Sequence, residues 1–122
     1  MMAHSCKPRI MYIENKGGGY TDYQLIERGL TGPGRIGRVT FSKTGATLYY
    51  QGRSLRSLKG GGFKSNYFDI ETGEHFWVSG PKKNGEDALY ATNVPTEIDE
   101  DIREEYWTEI RKMPDHRHRA HT

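Results

Sequence analysis

Aromatic and basic side chains alternate through the middle of this sequence, and together they could bind a flat or anionic ligand. Aromatic rings stack on nucleic-acid bases while nearby cations contact phosphates, and each stacked base contributes about 1–3 kcal/mol. The pattern therefore predicts a surface for single-stranded nucleic acid or for another macromolecule, such as a protein. The candidate binding residues are Arg38, Tyr49, Arg53, Lys59, Lys64, Tyr67, His75 and Trp77.

The same pattern also has a purely structural explanation. Residues 99–112 are predicted to form a helix with one apolar stripe, and that stripe must be buried against something. If the helix packs on the aromatic face, Tyr49, Tyr67 and Trp77 form a second layer of the core and cannot contact a ligand. The position of the helix therefore decides between a binding surface and a core layer.

A catalytic site would require a nucleophile with a base and an orienting group, or paired carboxylates in a cleft. Asp69, Glu71 and Glu74 straddle a predicted hairpin turn, where solvated carboxylates are expected, and Cys6 has no visible partner. We therefore expect no catalytic residues and no enzyme activity. The alternative, a small enzyme, predicts a strongly shifted titratable group at His75, Asp69 or Glu74.

Two further motifs point to neither a phosphate site nor a metal site. Residues 59–64 read Lys-Gly-Gly-Gly-Phe-Lys, which lacks the spacing of a P-loop and precedes a predicted strand rather than a helix. His116, His118 and His121 lie in a predicted disordered tail, where no neighbouring groups would orient metal ligands. We therefore expect no cofactor and no obligatory metal.

Length and composition predict one small folded domain. The chain has 122 residues, of which 34% are hydrophobic, and its 8 Tyr, 4 Phe and 2 Trp must supply much of the core. A single cysteine excludes an intrachain disulfide. No apolar run reaches the length of a signal peptide or a membrane span, so we expect a cytoplasmic protein that does not bind membranes. We also expect it to be a monomer.

The charge is divided between two parts of the chain. Residues 35–83 carry nine basic and three acidic side chains, whereas residues 84–115 carry three basic and ten acidic ones. The near-neutral total of +2 hides this asymmetry. The acidic helix therefore supports another alternative, an immunity-type or protein-interaction protein that masks a basic partner.

Short β-prone runs separated by glycine-marked turns predict a small antiparallel barrel. Strands are expected near residues 10–14, 35–41, 47–50, 54–58, 66–70, 74–78 and 88–91, with a short helix possible within 20–30. The predicted fold is mainly β, an SH3-like, partly open barrel with one C-terminal helix at residues 99–112, capped by an aspartate. The domain spans 9–113, between a disordered N-terminus (1–8) and a disordered tail (114–122).

Alternation along the strands assigns each side chain to one face of the sheet. The predicted core comprises Val39, Phe41, Leu48, Tyr50, Phe68, Ile70, Phe76 and Val78. The opposite face carries Arg38, Thr40, Tyr49, Tyr67, His75 and Trp77. The helix stripe consists of Ile98, Ile102, Tyr106, Ile110 and Met113, with Trp107 beside it.

Several stretches resemble a family of short, uncharacterised bacterial proteins. They include residues 37–45 and 47–50, the glycine loop with residues 66–69 and 71–74, residues 77–80, and the helix around 104–106. Some members carry the name of a thiamine-diphosphate-dependent xylulose-phosphate synthase, but a cofactor domain and a metal-diphosphate motif do not fit in 122 residues. The resemblance implies no catalytic residues, and we predict a non-catalytic binding module.

Overall fold

The computed structural model describes residues 8–17, 34–58, 65–87 and 95–122. These ranges contain seven strands: β1 Arg9–Gly17, β2 Gly34–Phe41, β3 Thr47–Tyr50, β4 Arg53–Ser57, β5 Tyr67–Asp69, β6 His75–Ser79 and β7 Glu97–Ile98. The predicted disordered start, the possible helix within 20–30, the glycine loop at 59–64 and the predicted strand at 88–91 lie outside them, apart from Pro8. Within them no helix is long and apolar enough to cross a membrane.

Tight turns connect the central strands because their sequences supply residues that tolerate positive φ. Gln51 and Gly52 both have positive φ (48° and 77°) and join β3 to β4 in two residues, as a primed hairpin turn requires. Gly45 and Gly73 adopt positive φ in the β2–β3 and β5–β6 turns. These turns keep neighbouring strands antiparallel and adjacent.

Six strands close into an antiparallel barrel in the order β1-β6-β5-β4-β3-β2, because β1 pairs with both β6 and β2. The short β7 adds to β2 in parallel, with Arg35 opposite Glu97. The prediction of a mainly β small barrel with one C-terminal helix is confirmed. The barrel is closed rather than partly open, since the long β1 and β2 pair along six residues each.

The barrel interior is filled by a cluster of buried side chains, with Met11, Phe41 and Tyr67 packed against it: Ile13, Val39, Leu48, Tyr50, Leu55, Phe76 and Val78. The predicted face of β5 is wrong. Tyr67 lies opposite Phe76 and Asp69 opposite Leu55, so both point inward, because cross-strand partners share a face. Ile70, predicted to be core, is 50% exposed.

The C-terminal helix (residues 100–110) packs on the outside of the barrel. It consists of a 3-10 turn Glu100–Ile102, an α-helical turn Arg103–Glu105 and a π-helical turn Tyr106–Ile110. Its apolar stripe forms an outer cluster with β1, β2 and β7: Tyr12, Ile36, Ile98, Ile102, Tyr106 and Trp107. The predicted helix and its stripe are therefore present, although its Asp99 cap makes no side-chain capping bond.

Residues 114–122, for which the sequence predicts a disordered segment, pack against the helix and β7 in this structure. Pro114–His116 forms a 3-10 turn, and the backbone then returns along β7, where Ile98 N–H donates to Ala120 and Thr122 N–H donates to Thr96. Trp107 holds this segment to the helix. Its indole N–H donates to the carbonyl of Arg119 at 3.1 Å, and its ring contacts the ring of His116.

Candidate functional site

A cavity of about 520 Å³ opens at one end of the barrel, which we call the mouth. Its size lies within the range of small-ligand sites, about 300–1,000 Å³. Apolar and aromatic side chains of the barrel interior line its inner part, and charged and amide groups line its rim. The lining residues are Ile13, Asn15, Gly34, Arg35, Tyr50, Gln51, Arg53, Phe76, Pro95, Glu97 and His121.

Arg35 forms one side of the mouth and is held by two carboxylates. Its Nε and Nη2 lie 2.8 and 2.6 Å from Asp99 Oδ1, and its Nη1 lies 2.5 Å from Glu97 Oε2. The Arg35 side chain is partly exposed and that of Glu97 is mostly exposed, whereas Asp99 is nearly buried. The guanidinium therefore lies between the buried carboxylate and the solvent.

Tyr50 completes this group from inside the barrel. Its hydroxyl donates to Asp99 Oδ2 at 2.5 Å, and Gln51 Nε2 lies 3.5 Å from the same oxygen. Burial raises the pKa of Tyr50 above its ordinary value, and the hydrogen bond to Asp99 raises it further, so the hydroxyl stays protonated. Gly37 makes this approach possible, because a Cβ there would collide with the Tyr50 ring and with Asp99.

Arg53 forms the opposite side, and two carboxylates hold it as well. Its Nη1 lies 2.7 Å from Asp69 Oδ2 and 2.8 Å from Glu74 Oε1. The hydrogen bond with Arg53 lowers the pKa of Glu74, with a further contribution from Asn15. Burial raises the pKa of Asp69, but hydrogen bonds from the Glu71 amide and Arg53 outweigh it, and that pKa is lowered too.

The orientation of the Arg53 guanidinium is fixed, but its two ion pairs do not engage all of its N–H donors. It lies 5.3 Å from the centre of the Phe76 ring, in a cation–π contact. Both of its ion pairs use Nη1. An arginine carries five N–H donors, so the three on Nε and Nη2 are not used by these ion pairs.

The remaining side of the mouth comes from β7 and the tail. Pro95, Glu97 and His121 line it, and His121 pairs with Glu97 in an antiparallel bridge. The tail therefore contributes directly to the cavity, which the prediction of a disordered segment did not anticipate. Part of the site therefore comes from far along the chain, since His121 lies 86 positions after Arg35 of β2.

The predicted binding residues do not form a single surface. Arg53 is at the mouth, and Tyr67 packs against the interior cluster. Arg38 is exposed on β2, with its Nη2 2.8 Å from Glu105 of the helix, and Trp77 packs against the outer cluster. Of the predicted aromatic face, Trp77 is therefore the residue that packs with the helix as a second core layer, and its side chain is half-buried.

Tyr49 and His75 remain on an outer face of the barrel, half-buried, away from the helix cluster. The His75 ring Nδ1 lies 2.9 Å from the hydroxyl of Ser65. Lys59 and Lys64 lie outside the described residues. Four outward residues on β3 to β6 follow each other as cross-strand neighbours: Thr47, Arg56, Phe68 and His75.

The sequence reasoning missed Arg35, Asp99 and Phe68 as candidate site residues. Arg35 could have been found, because it shares the inward parity of Gly37 and Val39 on β2 and must then lie at a barrel end. The sequence predicts Asp99 as a helix cap, and nothing in the local sequence signals its partner 64 residues away. Strand alternation predicts Phe68 to point inward, because the register of the three-residue β5 is not visible in the sequence.

Comparisons with protein-family models, with curated proteins and with solved structures find no match to this chain. The resemblance to short bacterial proteins therefore stays a prediction. The site must be interpreted from its own geometry.

Proposed function

We propose that this protein is a non-catalytic binding module that takes a small ligand, or a compact group of a larger partner, into the mouth of the barrel. The observation that carries the proposal is the cavity of about 520 Å³ between Arg35 and Arg53. It combines an apolar interior with a few convergent polar groups, as ligand sites generally do.

The state of the charged groups supports binding rather than catalysis. A general acid or base acts best when its pKa lies near the operating pH. The pKa values of Asp69 and Glu74 are lowered, so both carboxylates are charged and weakly basic at neutral pH. Arg35 and Arg53 are each held by two carboxylates, which fixes their positions for recognition.

Heteronuclear NMR tests this proposal. The labelled protein is titrated with benzyl alcohol, benzylamine and phenylacetate, three aromatic probes of similar size and different charge. We expect at least one probe to shift the amides of Gln51, Phe76 and Glu97 at the mouth and to leave Phe41 and Ser57, at the other end of the barrel, unchanged. If no probe shifts the mouth amides at millimolar concentration, the proposal is wrong.

A second candidate function, binding of single-stranded nucleic acid, is favoured by the outer face of the barrel. Arg56 is exposed on β4 and lies between Thr47 of β3 and Phe68 of β5, with His75 next in the same row. A cation beside aromatic rings suits a phosphate beside stacked bases. This face is distinct from the mouth, so the two candidate functions can be tested separately.

Fluorescence anisotropy with a labelled thymidine oligonucleotide at low salt tests the second candidate. We expect the affinity for the single strand to fall as the salt concentration is raised. In Phe68→Ala the binding free energy should weaken by about 1–3 kcal/mol, because one stacked base is lost. Duplex DNA of the same length serves as the control for unspecific attraction. Equal binding of single strand and duplex would exclude a stacking site.

A further inference from the structure

We infer that the mouth selects a compact monocarboxylate with an aromatic or branched apolar body. This inference rests on the proposed function and adds the chemical class of the ligand. Its basis is the arrangement of Arg53, whose Nη1 contacts two carboxylates while its Nε and Nη2 are left to donate to a ligand.

The first step concerns hydrogen-bond donors. Asp69 and Glu74 both contact Nη1 of Arg53, and the Phe76 ring lies against the guanidinium plane. The edge formed by Nε and Nη2 is left for a further acceptor, and its fork matches the two oxygens of a carboxylate. Because the protein already fixes the guanidinium, little conformational entropy is lost when a ligand binds.

The second step excludes a cationic ligand as the preferred class. The Phe76 ring already contacts the guanidinium of Arg53, so that ring is not free to receive a second cation. Among the described residues that line the cavity, the carboxylate is that of Glu97, and its Oε2 is engaged by Arg35 at 2.5 Å. A ligand ammonium would therefore compete with an ion pair that is already formed.

The third step limits the charge of the ligand. Four carboxylates, those of Asp69, Glu74, Glu97 and Asp99, lie next to the two guanidinium groups and exceed their charge by two. A ligand with one negative charge gains the directional hydrogen bonds of Arg53, which must outweigh the repulsion from these carboxylates. A phosphate dianion doubles the repulsion from these carboxylates, so we expect the mouth to reject it.

The fourth step concerns the body of the ligand. Ile13, Tyr50 and Phe76 line the inner part of the cavity, and the polar atom among their side chains, the Tyr50 hydroxyl, already donates to Asp99. An apolar or aromatic group placed against them is removed from water, which contributes about 25 cal/mol per Å² of apolar surface. A compact carboxylate therefore places its body inward and its oxygens at the rim.

Isothermal titration calorimetry with four matched probes tests the inference on the unaltered protein. Phenylacetate, benzyl alcohol, benzylamine and phenyl phosphate share a phenyl ring and differ in the charged group. We expect phenylacetate to bind at least about tenfold tighter than each of the others, as a charge-assisted hydrogen bond implies. If benzyl alcohol, benzylamine or phenyl phosphate binds equally well, the carboxylate inference is wrong while the binding function stands.

If none of the four probes binds, both the inference and the proposed function are wrong.

A pair of variants assigns the selectivity to a residue. Arg53→Lys keeps the positive charge but loses the planar fork, so we expect phenylacetate to bind about tenfold more weakly. Arg9→Lys, an exposed position at the end of β1 away from the mouth, should leave the affinity unchanged. Unchanged affinity in a folded Arg53→Lys protein would overturn the role of Arg53, and the probe series decides the inference even if that variant does not fold.

Discussion

Arg53 and Asp69 pair across neighbouring strands β4 and β5, with Nη1 2.7 Å from Oδ2, at the mouth of the barrel. Asp69 is 3% exposed and also accepts hydrogen bonds from the amides of Glu71 and Thr72. The same carboxylate therefore shapes the β5–β6 turn and orients the guanidinium that we propose as the ligand anchor. The stability of the fold and the proposed ligand binding therefore depend on the same pair.

Removing the Arg53 guanidinium should destabilise the fold. In Arg53→Met the unbranched apolar stem of the side chain is kept, but Asp69 loses a charged partner while it stays buried. We expect the free energy of unfolding to fall by about 1–3 kcal/mol, since a buried acceptor is left without its charged donor and the arginine itself is partly exposed. Urea denaturation measures the change. Arg56→Met is the matched control and should change stability by less than about 0.5 kcal/mol.

Acid should weaken the fold through the same carboxylates. The pKa values of Asp69 and Glu74 in the folded protein lie below their ordinary values of 3.8 and 4.5. The unfolded chain therefore binds protons first, and the stability these groups contribute is fully present above about pH 4.5. It is lost as the pH falls through the lower folded values. Thermal melts from pH 6 to 2, with Arg53→Met as the comparison, should show a shallower acid slope in the variant.

Asp87 should behave in the opposite way. It is 2% exposed, its Oδ1 accepts the amide of Lys82 at 2.6 Å, and its Oδ2 has no hydrogen-bond partner among the residues that the structure describes. Burial raises its pKa in spite of that hydrogen bond, so the folded state holds its proton more tightly than the unfolded chain. Its contribution to stability is therefore present at low pH and is lost as the pH rises above the ordinary value of 3.8.

The variant Asp87→Asn tests this sign. The asparagine keeps the oxygen that accepts the Lys82 amide and removes the buried charge, so we expect a higher melting temperature at pH 7 and a smaller gain at pH 3. Asp101→Asn, an exposed position on the helix, is the control and should change little. Arg111 attracts the charged form of Asp87 and so opposes the effect of burial. A lower melting temperature for Asp87→Asn at pH 7 would mean that this attraction outweighs the cost of burying the charge.

The tail should stabilise both the helix and the mouth. A chain ending at Met113 loses the hydrogen bond from Trp107 to Arg119, the contact with His116 and the bridge to β7. We expect a fall in stability of about 2 kcal/mol or more, because the large Trp107 side chain becomes partly exposed. Tryptophan fluorescence should shift to the red. Replacing the exposed His118 by serine should have no comparable effect.

The sequence by itself determined much of the local structure. Alternation correctly assigned Val39, Leu48, Phe76 and Val78 to the interior, and glycine-containing turns separated the strands where the structure has them. The stripe of the C-terminal helix was also visible, because its spacing depends only on helix geometry. These features follow from neighbouring residues, so one stretch of sequence is enough to predict them.

Only the tertiary structure decided where these elements meet. The three residues of β5 are too few to fix its register, and pairing with β4 and β6 turned Tyr67 inward and Phe68 outward. Arg35 and Asp99 meet because β7 pairs in parallel with β2, across 64 positions of sequence. The tail is ordered by contacts with Trp107 and β7 rather than by its own composition. The mouth is built from such long-range contacts, which carry no local signal in the sequence.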